Sequence, residues 1–244
     1  MLRAWADRAR IALVCAYARQ PFVRPAKRWL CAQLATSLPG LGRPCLVRTS
    51  LTLGEERLRL WVDAHSSVGL EAAMSGSYES ASMNRLLALA ARLGADQPTF
   101  LDVGANIGFY SVGLALAQAR ARVIACEPAP AAAALCGRNI AAVAQRLRER
   151  GSGIELVQAA ISDRAGEALL RVSQDAGHNS LLEVENFQAQ SITVRTTTID
   201  QLCAERRITQ VAVAKIYVEG AELDVLRGMS GLLARGAVSL LQWK

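Results

Sequence analysis

TFLDVGANIGFYS, residues 99–111, decides the fold. An apolar run broken only by Asp102 leads into a glycine-containing turn from Gly104 to Gly108, and Phe109 opens a helical pattern. A buried strand, a glycine turn and a helix start in that order mark where open α/β sheets bind nucleotides, at the carboxyl ends of their strands. Gly104 lets the backbone turn close to a ligand, Asn106 is one of the few non-glycine residues that tolerate positive φ, and Gly108 permits close helix packing. The spacing is GxxxG, not the GxGxxG of dinucleotide folds.

Toward the C-terminus the pattern alternates. A helix is predicted over about 109–118, a strand at RVIACE (122–127), a helix over about 131–147 and a strand at IELVQAAI (154–161). A polar stretch over 163–190 predicts a hairpin insertion, followed by strands ITVRTTTI (192–199) and VAVAKIYV (211–218), a helix at LDVLRGMSGLL (223–233) and a last strand at AVSLLQW (237–243). Near-continuous apolar strands between helices predict an α/β fold with a doubly wound, mostly parallel sheet buried on both faces.

Toward the N-terminus, LVRTSLTL (46–53) and RLRLWV (57–62) flank Gly54-Glu55-Glu56 as a β-hairpin. A helix over about 80–93 follows, with Leu86, Leu87, Leu89 and Ala90 on one side and Gly94 at its end. Before the hairpin, two short amphipathic helices are expected over 3–19 and 26–37, separated by Pro21 and Pro25. The chain thus divides into a basic helical arm (1–44), a hairpin and helix (45–98) and the nucleotide-type domain (99–244).

Composition agrees with one globular domain and an extension: 244 residues, 52% hydrophobic and 20% charged. The net charge of +7 belongs to the arm, because residues 1–50 hold nine Arg or Lys against Asp7 alone, leaving 19 basic and 20 acidic groups elsewhere. Such an arm fits a solvated helix face, or contact with an acidic partner or membrane surface. With 5% aromatics and no stacking module, nucleic acid is not an expected partner. The six cysteines are irregularly spaced without a CxxC pair, and His65 and His178 lie far from them, so neither a metal site nor a disulfide framework is expected. The apolar run IALVCAYA has eight residues, at the bottom of the range for an export signal and under half a membrane span. No stable membrane insertion is expected, and free thiols fit the cytoplasm.

Two acids end adjacent predicted strands. Glu127 follows Asp102 by 25 residues and suits a carboxylate that accepts from both ribose hydroxyls, in a dinucleotide or in an adenosyl cofactor. Asp102 separates these ligands, since a carboxylate at the loop repels a pyrophosphate and attracts the ammonium and sulfonium of S-adenosyl-L-methionine. Taken singly, Asp102 also fits a turn former and Glu127 an exposed strand end before Pro128.

LDVGANIGFYS, ACEP, AAISDRAGE, TTTIDQL and KIYVEGAELDVLRGM resemble, in that order, the motifs of the FkbM-type methyltransferases over about residues 70–243. The resemblance implies a class I, Rossmann-like methyltransferase that uses S-adenosyl-L-methionine and methylates a hydroxyl oxygen of a polyketide or sugar. It places Asp102, Gly104, Ala105, Asn106 and Gly108 in the cradle for methionine and ribose, Glu127 on the ribose and Asp163 near the adenine; a plain turn Asp before Gly166 fits Asp163 equally. Two positions depart from the pattern. Tyr217 stands where K-x-D-x-E-G-x-E has Asp, and Gln242 stands where the next strand ends in Glu. With Lys244 as the last residue, the strands that complete the far edge of such a sheet are expected to be missing.

Period-two alternation puts Lys215, Tyr217 and Glu219 on one face of their strand. A lysine in an apolar strand needs a partner, expected to be Glu219 or Glu222; this fits a buried ion pair that fixes the strand end, or a strand end that faces the methyl group and its acceptor. Methyl transfer to oxygen is an in-line displacement, so alignment supplies much of the rate and a base need only take a hydroxyl proton. Glu219 is the first candidate for that base. Tyr217, with an ordinary pKa of about 10, suits positioning or packing. His178 and Asn179 in the insertion are further candidates for substrate contact. The two departures also fit a cofactor-binding relative with impaired catalysis, acting as a partner protein, whereas GxxxG and Asp102 disfavour a nicotinamide oxidoreductase. Because every cofactor residue lies beyond position 100, deleting residues 1–40 is expected to leave S-adenosylhomocysteine affinity unchanged by calorimetry. A folded deletion protein that no longer binds would break the proposed boundary.

Overall fold

The computed structural model describes residues 44–173 and 189–243. It opens on the expected hairpin, β1 (Leu46–Leu53) and β2 (Glu56–Asp63), paired antiparallel with Leu51 opposite Leu58. Alternation turns Leu51, Leu53, Leu58, Leu60 and Val62 inward, and all are buried. Helices α1 (Ser67–Ser75) and α2 (Ser80–Arg92) follow, then β3 (Thr99–Val103), α3 (Phe109–Ala117), β4 (Arg122–Cys126), α4 (Pro130–Ala142), α5 (Ala144–Glu149) and β5 (Gly153–Val157). The remainder is β6 (Ala160–Ile161), β7 (Gly166–Ser173), β8 (Ala189–Thr197), α6 (Ile199–Glu205), β9 (Val211–Ile216), α7 (Glu222–Arg227), α8 (Ser230–Ala234) and β10 (Val238–Trp243).

The central sheet is parallel, in the order β10-β9-β3-β4-β5. From β3 the chain steps outward through β4 to β5, then returns to the other side of β3 for β9 and β10. The direction of winding therefore reverses between β3 and β9, and a crevice opens at their carboxyl ends. Strand alternation splits the core in two. Phe100, Val123 and Val213 pack with the hairpin, α1, α2 and α3 on one face. Leu101, Val103, Ile124 and Ile216 pack with Ile199, Val225 and Met229 on the other. This is the expected doubly wound, Rossmann-like α/β fold.

Several boundaries differ from the sequence expectation. Helix α1, SVGLEAAMS, was not expected; it is short and rich in small residues, and Ser66 caps it by accepting from Gly69 N. In α2 the buried face is Met83, Leu86 and Ala90, while Leu89 is exposed. The helix expected over 131–147 breaks at Val143, which leaves the helical region at φ −112°. LDVLRGMSGLL breaks at Gly228, a poor helix former whose carbonyl accepts from Asp200 N. IELVQAAI is two strands: β5 pairs with β4, and Ala160–Ile161 pairs with β8 in a separate three-stranded sheet, β6-β8-β7. The insertion is a hairpin whose arms, β7 and β8, pair antiparallel. His178, Asn179 and the arm helices over 3–19 and 26–37 lie outside the described residues.

Asn139 couples these parts. Its buried amide donates to Trp61 O (3.0 Å) and Ile107 O (2.9 Å), and its oxygen accepts from Trp61 N (2.7 Å), so α4 holds both the hairpin and the glycine turn. Asn139→Ala orphans three backbone groups and is expected to lower stability by roughly 3 kcal/mol in urea unfolding. A loss below about 1 kcal/mol would mean that water replaces the amide at no cost.

Candidate active site

A crevice with a cavity volume of about 110 Å³ lies at the β3/β9 switch point, where open α/β sheets bind their ligands. Gly104, Ala105 and Asn106 form one wall, Glu127 the next, and Lys215, Tyr217 and Glu219 the β9 side. Gly104 has φ 73°, and a Cβ there would stand 1.8 Å from the carbonyl oxygen of Tyr217, so a glycine is required where the loop crosses β9. Asn106 has φ 50°, as its tolerance for that region predicted. Gly108 begins α3 and packs closely on Cys136, behind the crevice wall.

Glu127 is 6% exposed and ends β4 beside the loop. One oxygen accepts from Asn106 N (2.8 Å), the other from Ala129 N (2.9 Å). Burial raises its pKa above the ordinary carboxylate value, and these two N–H groups oppose the rise. A carboxylate has about four lone-pair sites, so each oxygen keeps capacity for a ligand hydroxyl.

Asp102 sits one layer deeper than expected. It is 0% exposed; one oxygen takes the Lys215 ammonium at 2.8 Å and the other accepts from Ser111 Oγ at 2.6 Å. Its charge is matched inside the protein, so it does not present an open carboxylate to a bound sulfonium. This also corrects the partner expected for Lys215. β3 and β9 are neighbours with Asp102 opposite Lys215, and the ammonium also donates to Gly104 O (2.8 Å) and Val103 O (3.3 Å). The expectation of Glu219 or Glu222 extended strand alternation past Ile216, where β9 ends and a turn begins with Glu219 at φ 52°. Glu222 closes that turn, accepting from Val218 N (3.4 Å) and Gly220 N (3.2 Å). Asp163 lies in the turn after β6, near Ser162 Oγ and Arg164, and is not among the residues lining the crevice.

Tyr78, Glu79 and Tyr110 line the crevice and were not singled out from the sequence. Tyr110 lies over Lys215 (5.2 Å from ring centroid to Nζ), meets Tyr217 edge-on at 5.6 Å and donates to Glu79 Oε2 at 2.9 Å. Tyr78 stacks on Phe109 at 5.6 Å. Burial pushes both phenols well above their ordinary pKa, which keeps Tyr110 a donor at neutral pH. Tyr78 and Glu79 lie in GSYES (76–80), ahead of the quoted motifs, while Tyr110 lies inside LDVGANIGFYS. Tyr217 lies over Lys215 at 4.6 Å, and its hydroxyl meets Gln242 Nε2 (2.5 Å) and Ser82 Oγ (3.3 Å), so the two departures from the family pattern touch each other. The described cysteines are buried free thiols; burial pushes Cys136 up to about 12 and Cys203 up to about 11, which makes them packing groups rather than nucleophiles.

A doubly wound parallel sheet with a glycine cradle and a buried acid on the next strand end defines a Rossmann-like domain of the class I methyltransferase architecture. Residues 102–243 match the model of the methyltransferase FkbM domain, and the chain belongs to that family. It is 28% identical over 158 residues to the AMB antimetabolite synthetase AmbE of Pseudomonas aeruginosa, covering 53% of this chain and 7% of that protein. It is 26% identical over 161 residues to the methyltransferase sdnD of Sordaria araneosa (54% of this chain, 60% of the relative). It is 28% identical over 146 residues to the 2-O-methyltransferase NoeI of Sinorhizobium fredii (54% and 57%). The chain thus spans less than two thirds of each of these relatives. A crystal structure of the methyltransferase FkbM from Methylobacillus flagellatus aligns at 19% identity with a TM-score of 0.39, over 57% of this chain and 31% of that one. No helix among the described residues is long and apolar enough to cross a membrane.

Lys215→Met would leave Asp102 charged and unpaired in the core, and is expected to cost about 3–5 kcal/mol in urea unfolding. Adding Asp102→Asn should recover much of that loss. Additive losses in the double variant would contradict the pairing.

Proposed function

We propose that the chain is an S-adenosyl-L-methionine-dependent methyltransferase acting on a hydroxyl of a small natural product or a sugar. The observation that carries this reading is Glu127, a buried carboxylate with free acceptor capacity facing the crevice where two strand ends diverge. Glu127 would hold the ribose hydroxyls, while Gly104, Ala105 and Asn106 would line the nucleoside and methionine portions. The bound cofactor supplies an electrophilic methyl carbon on a sulfonium. Lys215, matched by Asp102, fixes the loop rather than touching the cofactor, with Gly108 in support behind it.

Transfer to oxygen is supported by the relative named a 2-O-methyltransferase. The hydroxyl proton needs a carboxylate at the crevice; Glu79 and Glu219 both line it, with Tyr217 beside them and Glu222 holding the turn after β9. Buried free thiols support a reducing, cytoplasmic setting. A second reading, a cofactor-binding relative with impaired catalysis, is favoured by Tyr217 and Gln242 standing in acidic positions of the pattern.

Calorimetry with S-adenosylhomocysteine is expected to give one site per chain, and Glu127→Ala should weaken it at least about tenfold, or 1.4 kcal/mol. If Glu127→Ala bound as tightly as the parent, the ribose assignment would be wrong. Incubating the protein and S-adenosylmethionine with a metabolite extract, and searching by mass spectrometry for a gain of one methyl group, separates the two readings of catalysis.

A further inference from the structure

A second, open groove runs between α2 and β10, with Ser82 and Arg85 on one side and Leu240 and Gln242 on the other. Among the described residues, two line both this groove and the crevice: Glu79 and Tyr217. They stand where a donor held in the crevice would meet an acceptor held in the groove. The Tyr217 hydroxyl already meets Gln242 and Ser82, and a phenol is a weak base at neutral pH. Glu79 is the carboxylate at that junction.

Its backbone is an independent mark. Glu79 sits at φ 42°, ψ 40°, ahead of α2, a conformation that non-glycine residues seldom adopt and that persists where the surroundings enforce it, often at functional sites. Its side chain supplies no helix cap; Oε2 instead accepts from Tyr110, whose ring lies over Lys215. A strained backbone thus aims the carboxylate into the site, and Tyr110 ties it to the crevice floor. Glu219 lines the crevice alone.

We propose that Glu79 is the catalytic base of methyl transfer and that the α2/β10 groove holds the acceptor, a small hydroxylated molecule of sugar-like polarity. This rests on the reading that the crevice binds the methyl donor. The acceptor O–H gives its proton to a Glu79 oxygen while its oxygen bonds to the methyl carbon. The carbon–sulfur bond breaks with its electron pair left on sulfur, so the positive charge of the sulfonium leaves as the proton. Hydroxyl and amide side chains at Ser82 and Gln242 and the guanidinium of Arg85 suit an acceptor with several hydroxyls.

The test compares two ligands that differ at the methyl position: S-adenosylhomocysteine, with a neutral sulfur, and sinefungin, with an ammonium-bearing carbon. Glu79→Gln keeps an oxygen for Tyr110 and should keep S-adenosylhomocysteine affinity, while sinefungin affinity falls roughly fivefold or more relative to it. With the acceptor found by the extract experiment, Glu79→Gln should slow methylation on the order of 100- to 10,000-fold. A parent that binds neither ligand overturns the donor reading itself. A parent that binds both, with the ratio unchanged in Glu79→Gln or lowered by Glu219→Gln alone, overturns the placement of Glu79. A lowered ratio with undiminished methylation overturns its role as base.

Discussion

The buried pair between Asp102 and Lys215 is the constraint on which the site depends. Removing both charges from water is costly, and a pair of this kind earns little net stability over apolar packing. It persists here because every polar atom is answered: Ser111 takes the second carboxylate oxygen, and the carbonyls of Val103 and Gly104 take the remaining ammonium hydrogens. Those partners belong to the carboxyl end of β3, the turn after it and the first turn of α3. The pair therefore fixes β3 against β9 at the switch point and orients the Gly104 carbonyl. A loop that must pass within contact of the Tyr217 carbonyl has little freedom left.

Tyr217 and Gln242 make physical sense as a matched exchange. Two acids at these neighbouring positions would face each other with like charge. A phenol and an amide in the same places form a neutral hydrogen bond, and Ser82 completes it from α2. Lys215 does not lose its countercharge in this exchange, because Asp102 supplies it from the adjacent strand. The wall formed by Gly104, Ala105 and Asn106 keeps its anchoring while the wall facing the groove is neutral.

Legibility in the sequence followed locality. The glycine turn, its αL asparagine and the acid ending β4 were readable because one strand–turn–helix segment and its neighbour contain them. The five apolar strands of the parallel sheet and the β1–β2 hairpin were readable from periodicity alone. Contacts made by chain reversal were not: Asp102 and Lys215 are 113 positions apart, and Tyr110 and Glu79 are 31 apart. Short elements failed for a different reason. Ala160–Ile161 continues an apolar run from β5, and nothing in IELVQAAI marks where pairing passes to β8. Asp200 in TTTIDQL was given no role by the sequence; it accepts from Gly231 N and Leu232 N and holds α8.

The division of labour in the site follows from where its walls originate. The cradle comes from the ends of β3 and β4, the rigid centre of the sheet, where hydrogen bonds run to both sides. The groove comes from α2, which precedes the sheet, and from β10, the edge strand that pairs on one side only, with β9. Substitution in α2 or β10 can therefore reshape the groove without moving Gly104, Asn106 or Glu127. Tyr110 and Tyr217 are the exceptions, since both rings rest on Lys215 while one hydroxyl reaches Glu79 and the other reaches Gln242. Any change at these two aromatics is felt on both sides at once, which makes them the mechanical link between the crevice wall and the groove.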